Sequence, residues 1–165
     1  MPGRPVHVTF VCSGNICRSA MGQAILRKLV TDAGLGGDVR ISSSGTGDWH
    51  VGEQADPRTI EVLAAHGYDG STHRAREFDS SEFDDLDLVL AADEGHVRQL
   101  TRWARRPEHR TKIRLLREFD PAAVEAGTLE TDDPWYRSNE HFLRCFREVE
   151  AACHGVLDHL QTGRD

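Results

Sequence analysis

The chain has 165 residues, 38% of them apolar and 28% charged, and carries a net charge of −7 at pH 7. That length is enough for one domain with a substantial core, and the acidic balance argues against general binding to nucleic acid or membrane surfaces. No run approaches the ~18 apolar residues of a membrane span, the N-terminal apolar run is broken by His7, and four cysteines do not make a secretory disulfide framework; the expected setting is reducing and cytoplasmic.

Val6 to Val11 has branched and aromatic residues with no turn former and reads as a buried strand. From Ser19 the period changes: Met21, Ala24, Ile25, Lys28 and Leu29 follow helical spacing until Gly34 and Gly36-Gly37. Gly22, inside that helix, is expected to cost about 1 kcal/mol relative to alanine. Val39 to Ser43 is a second strand. Asp56-Pro57 reads as an N-cap with proline at the first helical position, opening a helix that ends near Gly67. The acidic stretch Glu77 to Asp87 reads as a solvated helix or loop, Leu86 to Ala92 as a buried strand, and Glu94 to Arg106 as a helix. A fourth strand is expected near Ile113 to Leu116 and a last helix from about Asn139 to Leu160, carrying Cys145 and Cys153 among core residues. Arg98, Arg102, Arg105, Arg106, Arg110, Lys112, Arg114 and Arg117 form a basic block, read as a solvated helix face with its flanking loop, the other reading being a docking surface.

Strands alternate with helices, and strand cores apolar on both faces argue for a parallel sheet covered on both sides. Right-handed crossovers leave a few doubly wound topologies. With no repeat, linker or low-complexity segment, one domain is expected over residues 1–165, its core at about 6–160.

In such folds ligands bind beyond the carboxyl ends of the strands. The segment VCSGNICRSA starts at such an end and feeds directly into a helix, whose N-terminal amides and dipole favour anions. Gly14 and Asn15 tolerate left-handed backbone angles and would turn successive N–H groups inward as an anion nest. Arg18 adds a planar fork for two phosphate oxygens. At the floor of that nest the Cys12 thiol should ionise, since helix N-termini and cations lower cysteine pKa from about 8.5 to roughly 3.5–7.5, and Ser19 can donate to the thiolate. A thiolate under a bound phosphate is the arrangement for covalent phosphoryl transfer. Zinc ligation by Cys12 and Cys17 is weak without a second pair, and the loop lacks the lysine of a Walker motif.

The string CSGNICRS, with SSSGTGDWHVGEQADPR at Ser42 to Arg58, His66-Gly67-Tyr68 through Arg76, and Asp132-Asp133-Pro134-Trp135-Tyr136, resembles the low-molecular-weight protein tyrosine phosphatase family over roughly residues 6–160. The resemblance implies a single doubly wound α/β domain with a four-stranded parallel sheet of order 2-1-3-4 and helices on both faces. It implies Cys12 as nucleophile, Arg18 as phosphate clamp, and Asp133 rather than Asp132 as general acid and base. Ser13, Gly14, Asn15, Ile16, Cys17 and Ser19 would complete the phosphate-binding loop, with Ser43 and His73 supporting Asn15. Trp49, Trp135 and Tyr136 would form the substrate pocket, ordinary core packing being the other reading of Trp49. Cys17 would be the redox partner of Cys12, forming a reversible disulfide, or else a residue that fills the loop. No cofactor and no metal are implied, and the partners are phosphotyrosine-containing proteins. Ala20 stands where many members have proline, and Trp135 replaces the first of two tyrosines. The alternatives are a thiol-dependent arsenate reductase, which would need relay cysteines absent from Asp79 to Asp93; a phosphoarginine phosphatase, disfavoured by Ile16; and a phosphoprotein-binding module with an inert loop.

Overall fold

The computed structural model describes residues 4–135 and 137–162. Strands β1 (Val6–Cys12), β2 (Val39–Gly45), β3 (Leu88–Ala91) and β4 (Ile113–Leu115) form a parallel sheet in the order β2-β1-β3-β4. The helices are α1 (Arg18–Asp32), α2 (Pro57–Ala65), α3 (Glu94–Trp103), α4 (Pro107–Arg110), α5 (Pro121–Ala126) and α6 (Asn139–Thr162).

The period-2 alternation of β1 and β3 divides the core. Val8, Phe10, Leu88 and Leu90 face one way, into a cluster with Met21, Ile25 and Leu26 of α1 and Phe142, Phe146, Val149 and Val156 of α6. Val11, Val89 and Ala91 face the other way, against Phe78, Phe83, Leu86 and Leu100. Two buried faces are what favour apolar residues at most positions of β1 and β3.

The second face of β1 and β2 departs from the expectation of apolar strand cores. His7 Nε2 and Thr9 Oγ1 both bond Ser42 Oγ, each at 2.9 Å, and Thr9 is fully buried. The polar groups are tolerated there because they bond one another.

Several short elements differ from the sequence expectations. The acidic stretch is a 3-10 turn at Ser80–Asp84, capped by Asp79 in a reciprocal box with Glu82. Residues 107–110 and 121–126, outside the helices expected from the sequence, form α4 and α5, each starting at a proline. The basic block is dispersed rather than one face: Arg110 donates to Ala104 O, Arg114 pairs with Glu118, and Arg117 donates to Glu130 O. Among the described residues no helix is long and apolar enough to cross a membrane.

Gly22 is where close packing overrides helix propensity. A Cβ there would lie 2.3 Å from Cδ2 of Phe10, a ring itself 1% exposed and unable to swing away. We therefore expect Gly22→Ala to destabilise the protein by about 1–3 kcal/mol through overpacking, despite the propensity gain, as read from urea denaturation midpoints; an alanine variant as stable as the parent would contradict this packing account.

Candidate active site

Cys12 ends β1 and sits over Gly45, its partner at the end of β2. The chain then bends sharply into α1, whose N-cap residue Cys17 provides no side-chain cap. No described group accepts a hydrogen bond from the backbone N–H groups of residues 14–18. Together with the dipole of a 15-residue helix, this concentrates positive potential at the loop.

Asn15 holds the bend. Its φ of 61° makes it the non-glycine residue in the left-handed region among those described, and it is fully buried. The side-chain Nδ2 donates to Ser19 Oγ at 2.8 Å and Ser43 Oγ at 3.0 Å, and Oδ1 accepts from Arg76 N at 3.0 Å. Its backbone carbonyl accepts from His73 Nε2 at 2.6 Å. Ser43 Oγ in turn donates a hydrogen bond to Gln23 Oε1. Since Asn15 occupies a lone pair of Ser19, the Ser19 hydroxyl hydrogen is left to donate to Cys12 Sγ, 2.9 Å away. The two support residues expected from the sequence, Ser43 and His73, thus both reach Asn15.

Gly14 differs from the expectation, since its φ is not positive. Its lack of a side chain serves a close approach instead: a Cβ would lie 2.8 Å from His50 Cδ2. Gly45 is needed for the same reason, with Ser13 O 2.5 Å from its would-be Cβ.

Arg18, 4% exposed, is aimed by Asp93 Oδ2 at 2.8 Å and by Thr131 O at 2.9 Å, and its second terminal nitrogen lies 3.7 Å from Asp133 Oδ2. Burial works against its charge, but Cys12, Asp133 and Asp93 outweigh it and hold the guanidinium pKa above its ordinary value. Its buried Nε has no partner among the described residues. For Asp93, burial likewise opposes the charge, while His96 when protonated, the Arg18 hydrogen bond and charge, and the His96 backbone N–H outweigh it and hold the carboxyl below its usual range.

Asp93, His96 and Thr131 were missed in the sequence. Asp93 had a visible signal, as a helix-capping residue at the C-terminal end of a strand; Thr131 had none, because it acts through its backbone carbonyl.

Asp133 is half-exposed, and its Oδ1 accepts from Trp135 N at 3.1 Å. A cleft of about 360 Å³ is lined by Cys12, Ser13, Gly14, Ile16, Cys17, Arg18, Trp49, His50, Asp133 and Trp135. Asp132 lies outside it, on a small side cleft with Cys145. Trp49 is 67% exposed, which sets aside the core-packing reading and places it on the rim. His50 packs edge-on against Trp135 with ring centroids 5.4 Å apart. Tyr136 lies outside the described residues. Arg58 ties the walls together, donating to both oxygens of Asp56 and to the carbonyls of Trp135 and Arg137, while Asp56 N donates to Ile16 O. Burial pushes the Cys17 thiol pKa up, with Cys12 adding to the effect. Cys145 and Cys153 are buried on α6 and likewise raised by burial. All four cysteines are free thiols, and no cluster of metal-ligating side chains occurs among the described residues.

The pattern of the low molecular weight phosphotyrosine protein phosphatases matches residues 7–165. The chain belongs to this family. A low molecular weight protein-tyrosine-phosphatase of Streptomyces coelicolor is 53% identical over 92% of this chain and 91% of its own length. Low molecular weight protein-tyrosine phosphatase A of Mycobacterium tuberculosis is 42% identical over 93% and 91%. The crystal structure of a protein tyrosine phosphatase from Entamoeba histolytica, with Hepes in its active site, superposes with a TM-score of 0.89 at 29% identity, covering 97% of this chain and 99% of that one. As a phosphatase of this family the chain is an enzyme, which sets aside the inert binding module.

His96 gives the phosphatase a pH-sensitive stability. Burial, reinforced by Arg18, lowers its pKa to about 4 from 6.5. Between those values the unfolded chain binds a proton that the folded one refuses, so stability is lost as pH falls from about 6.5 towards 4. The full contribution is roughly 3 kcal/mol at about 1.4 kcal/mol per pKa unit. Urea titrations at pH 7 and pH 4.5 should show a smaller acid-induced loss in His96→Gln than in the parent; equal losses would rule out this residue as a source.

Proposed function

We propose that this phosphatase hydrolyses phosphotyrosine in proteins through a phosphocysteine intermediate. The observation that carries the reading is the convergence of Cys12, Arg18 and Asp133 on one cleft above a loop whose N–H groups at residues 14–18 have no acceptor among the described residues. The Cys12 thiolate attacks phosphorus while the loop amides and Arg18 bind the three equatorial oxygens, donors that strengthen as charge develops there. Asp133 protonates the departing phenolate, then takes a proton from the water that attacks the phosphocysteine. Ser19 donates to the sulfur, which stabilises it as nucleophile and again as leaving group.

The shape of the cleft supports an aryl substrate. The nucleophile at the floor is 3% exposed, whereas Trp49 at the mouth is 67% exposed, so a phosphate on a short serine stem would not reach without drawing backbone into the cleft. Trp49 and Trp135 offer apolar walls to a phenyl ring, and buried Ile16 adds to them. The arsenate reductase reading lacks support, since neither Cys145 nor Cys153 lines the cleft. Cys17 does, and we assign it the redox role: peroxide oxidises Cys12 to a sulfenic acid, and Cys17 displaces water to leave a disulfide. The enzyme needs no metal for these steps and would work in a reducing compartment.

Purified protein should hydrolyse an aryl phosphate in the presence of a chelator, with phosphotyrosine peptides preferred over phosphoserine and phosphoarginine peptides. Cys12→Ser should reduce turnover below detection, and Asp133→Ala should lower kcat about 10²–10⁴-fold, the range for loss of a general acid. Asp132→Ala should stay within a few-fold of the parent. Undiminished activity in Cys12→Ser would sink the mechanism, and thioredoxin-dependent arsenate turnover would restore the rival.

A further inference from the structure

The turn that opens α3 makes two contacts with the phosphate loop, and the mechanism above uses only one. Asp93, the N-cap of α3, takes Arg18 at the end of the loop. Three residues on, His96 Nε2 lies 2.9 Å from Ser13 Oγ at the start of the loop. Spacing of three places both side chains on one face of the turn.

The hydrogen bonds fix the tautomer of His96. Its Nδ1 lies 3.2 Å from the backbone N of Asp93, which donates to it. Asp93 Oδ1 also lies 3.2 Å from Nδ1 but makes no hydrogen bond with it, and instead accepts from His96 N at 3.1 Å. Nδ1 is therefore assigned as the acceptor and the ring proton to Nε2. Nε2–H therefore donates to Ser13 Oγ. The ring is 4% exposed; burial and the Arg18 charge favour its neutral form and outweigh Asp93 and Asp133, which favour the charged one. Protonation would put a hydrogen on Nδ1 facing the Asp93 N–H and break that hydrogen bond, leaving Nδ1 to pair with Asp93 Oδ1. Ser13 itself is pinned from the other side, where its carbonyl accepts from Gly47 N at 3.1 Å.

We infer that His96 is a positioning residue of this phosphatase: its Nε2–H to Ser13 bond, with the Asp93 to Arg18 ion pair, clamps both ends of the phosphate loop to a single turn of α3. The inference rests on the phosphate-binding reading of the loop, but it is tested by binding as well as by turnover. His96 touches no reacting atom. It acts by fixing the distance between the first loop amides and the guanidinium, which must bind the same anion together.

The experiment measures inorganic phosphate affinity by calorimetry, kcat and KM on an aryl phosphate, and thermal stability, for the parent, His96→Asn, His96→Gln, Ser13→Ala and the double variant His96→Asn/Ser13→Ala. Asparagine retains an acceptor at the Nδ1 position and loses the reach to Ser13, whereas glutamine can extend an N–H to it. We expect His96→Asn and Ser13→Ala each to weaken phosphate binding and lower kcat/KM about 10-fold. The double variant should be no worse than either single one, since both remove the same bond, and His96→Gln should recover to within about 3-fold of the parent. Multiplying effects in the double variant, or affinities unchanged while stability falls, would overturn the inference. So would a ¹⁵N spectrum at pH 7 placing the His96 proton on Nδ1. Absence of turnover in the parent would instead strike at the hydrolytic reading, with the phosphate affinities still deciding the role of His96.

Discussion

The site depends on one buried amide. Asn15 must take a left-handed backbone conformation to turn the loop N–H groups inward, and a buried side chain in that conformation is costly unless all of its polar atoms are bonded. Here each amide hydrogen and the amide oxygen has a partner, and the residue's own carbonyl is taken by His73. The same network orients Ser19 towards Cys12. The support therefore does two things at once: it holds the loop in an anion-binding shape before any anion arrives, and it presents a donor to the sulfur. Preorganisation of this kind lowers the cost of binding and of charge development.

A second constraint comes from the sheet order. β1 lies between β2 and β3, so the loop after β1 is flanked by the ends of both neighbours. From the β2 side come Gly45, whose missing side chain admits Ser13, and the rim residue Trp49. From the β3 side comes the turn at Asp93 to His96, which reaches the arginine and the loop start. The carbonyl of Thr131 and the carboxylate of Asp133 then close over Arg18, anchored where Thr131 N donates to Ala92 O at 2.8 Å. Four separate stretches of chain thus meet because the strand order brings their ends together.

The residues legible in the sequence were those whose type and spacing are themselves the signal. Cys12, Asn15 and Arg18 stand in one short segment between a strand and a helix, and the order and periods of the elements around it led to a parallel doubly wound sheet. Less legible were groups that act at a distance or through backbone. Gly14 was read as a left-handed residue, yet it serves the close approach of His50; Gly22 was read as a helix defect, yet it fits against Phe10. His7, Thr9 and Ser42 form a polar ladder in strands expected to be apolar on both faces, since nothing local tells a strand which partner will satisfy its hydroxyls.

By itself the sequence determined what the loop can do, because the chemistry of a thiol, a left-handed asparagine and a guanidinium at fixed separations is local and survives any placement of the rest. Only the tertiary structure decided how that loop is held and aimed. Asp93, His96, Thr131 and Arg58 lie between 40 and 119 residues away from the loop in sequence, and their roles exist as distances across the ends of neighbouring strands, which composition and periodicity do not encode.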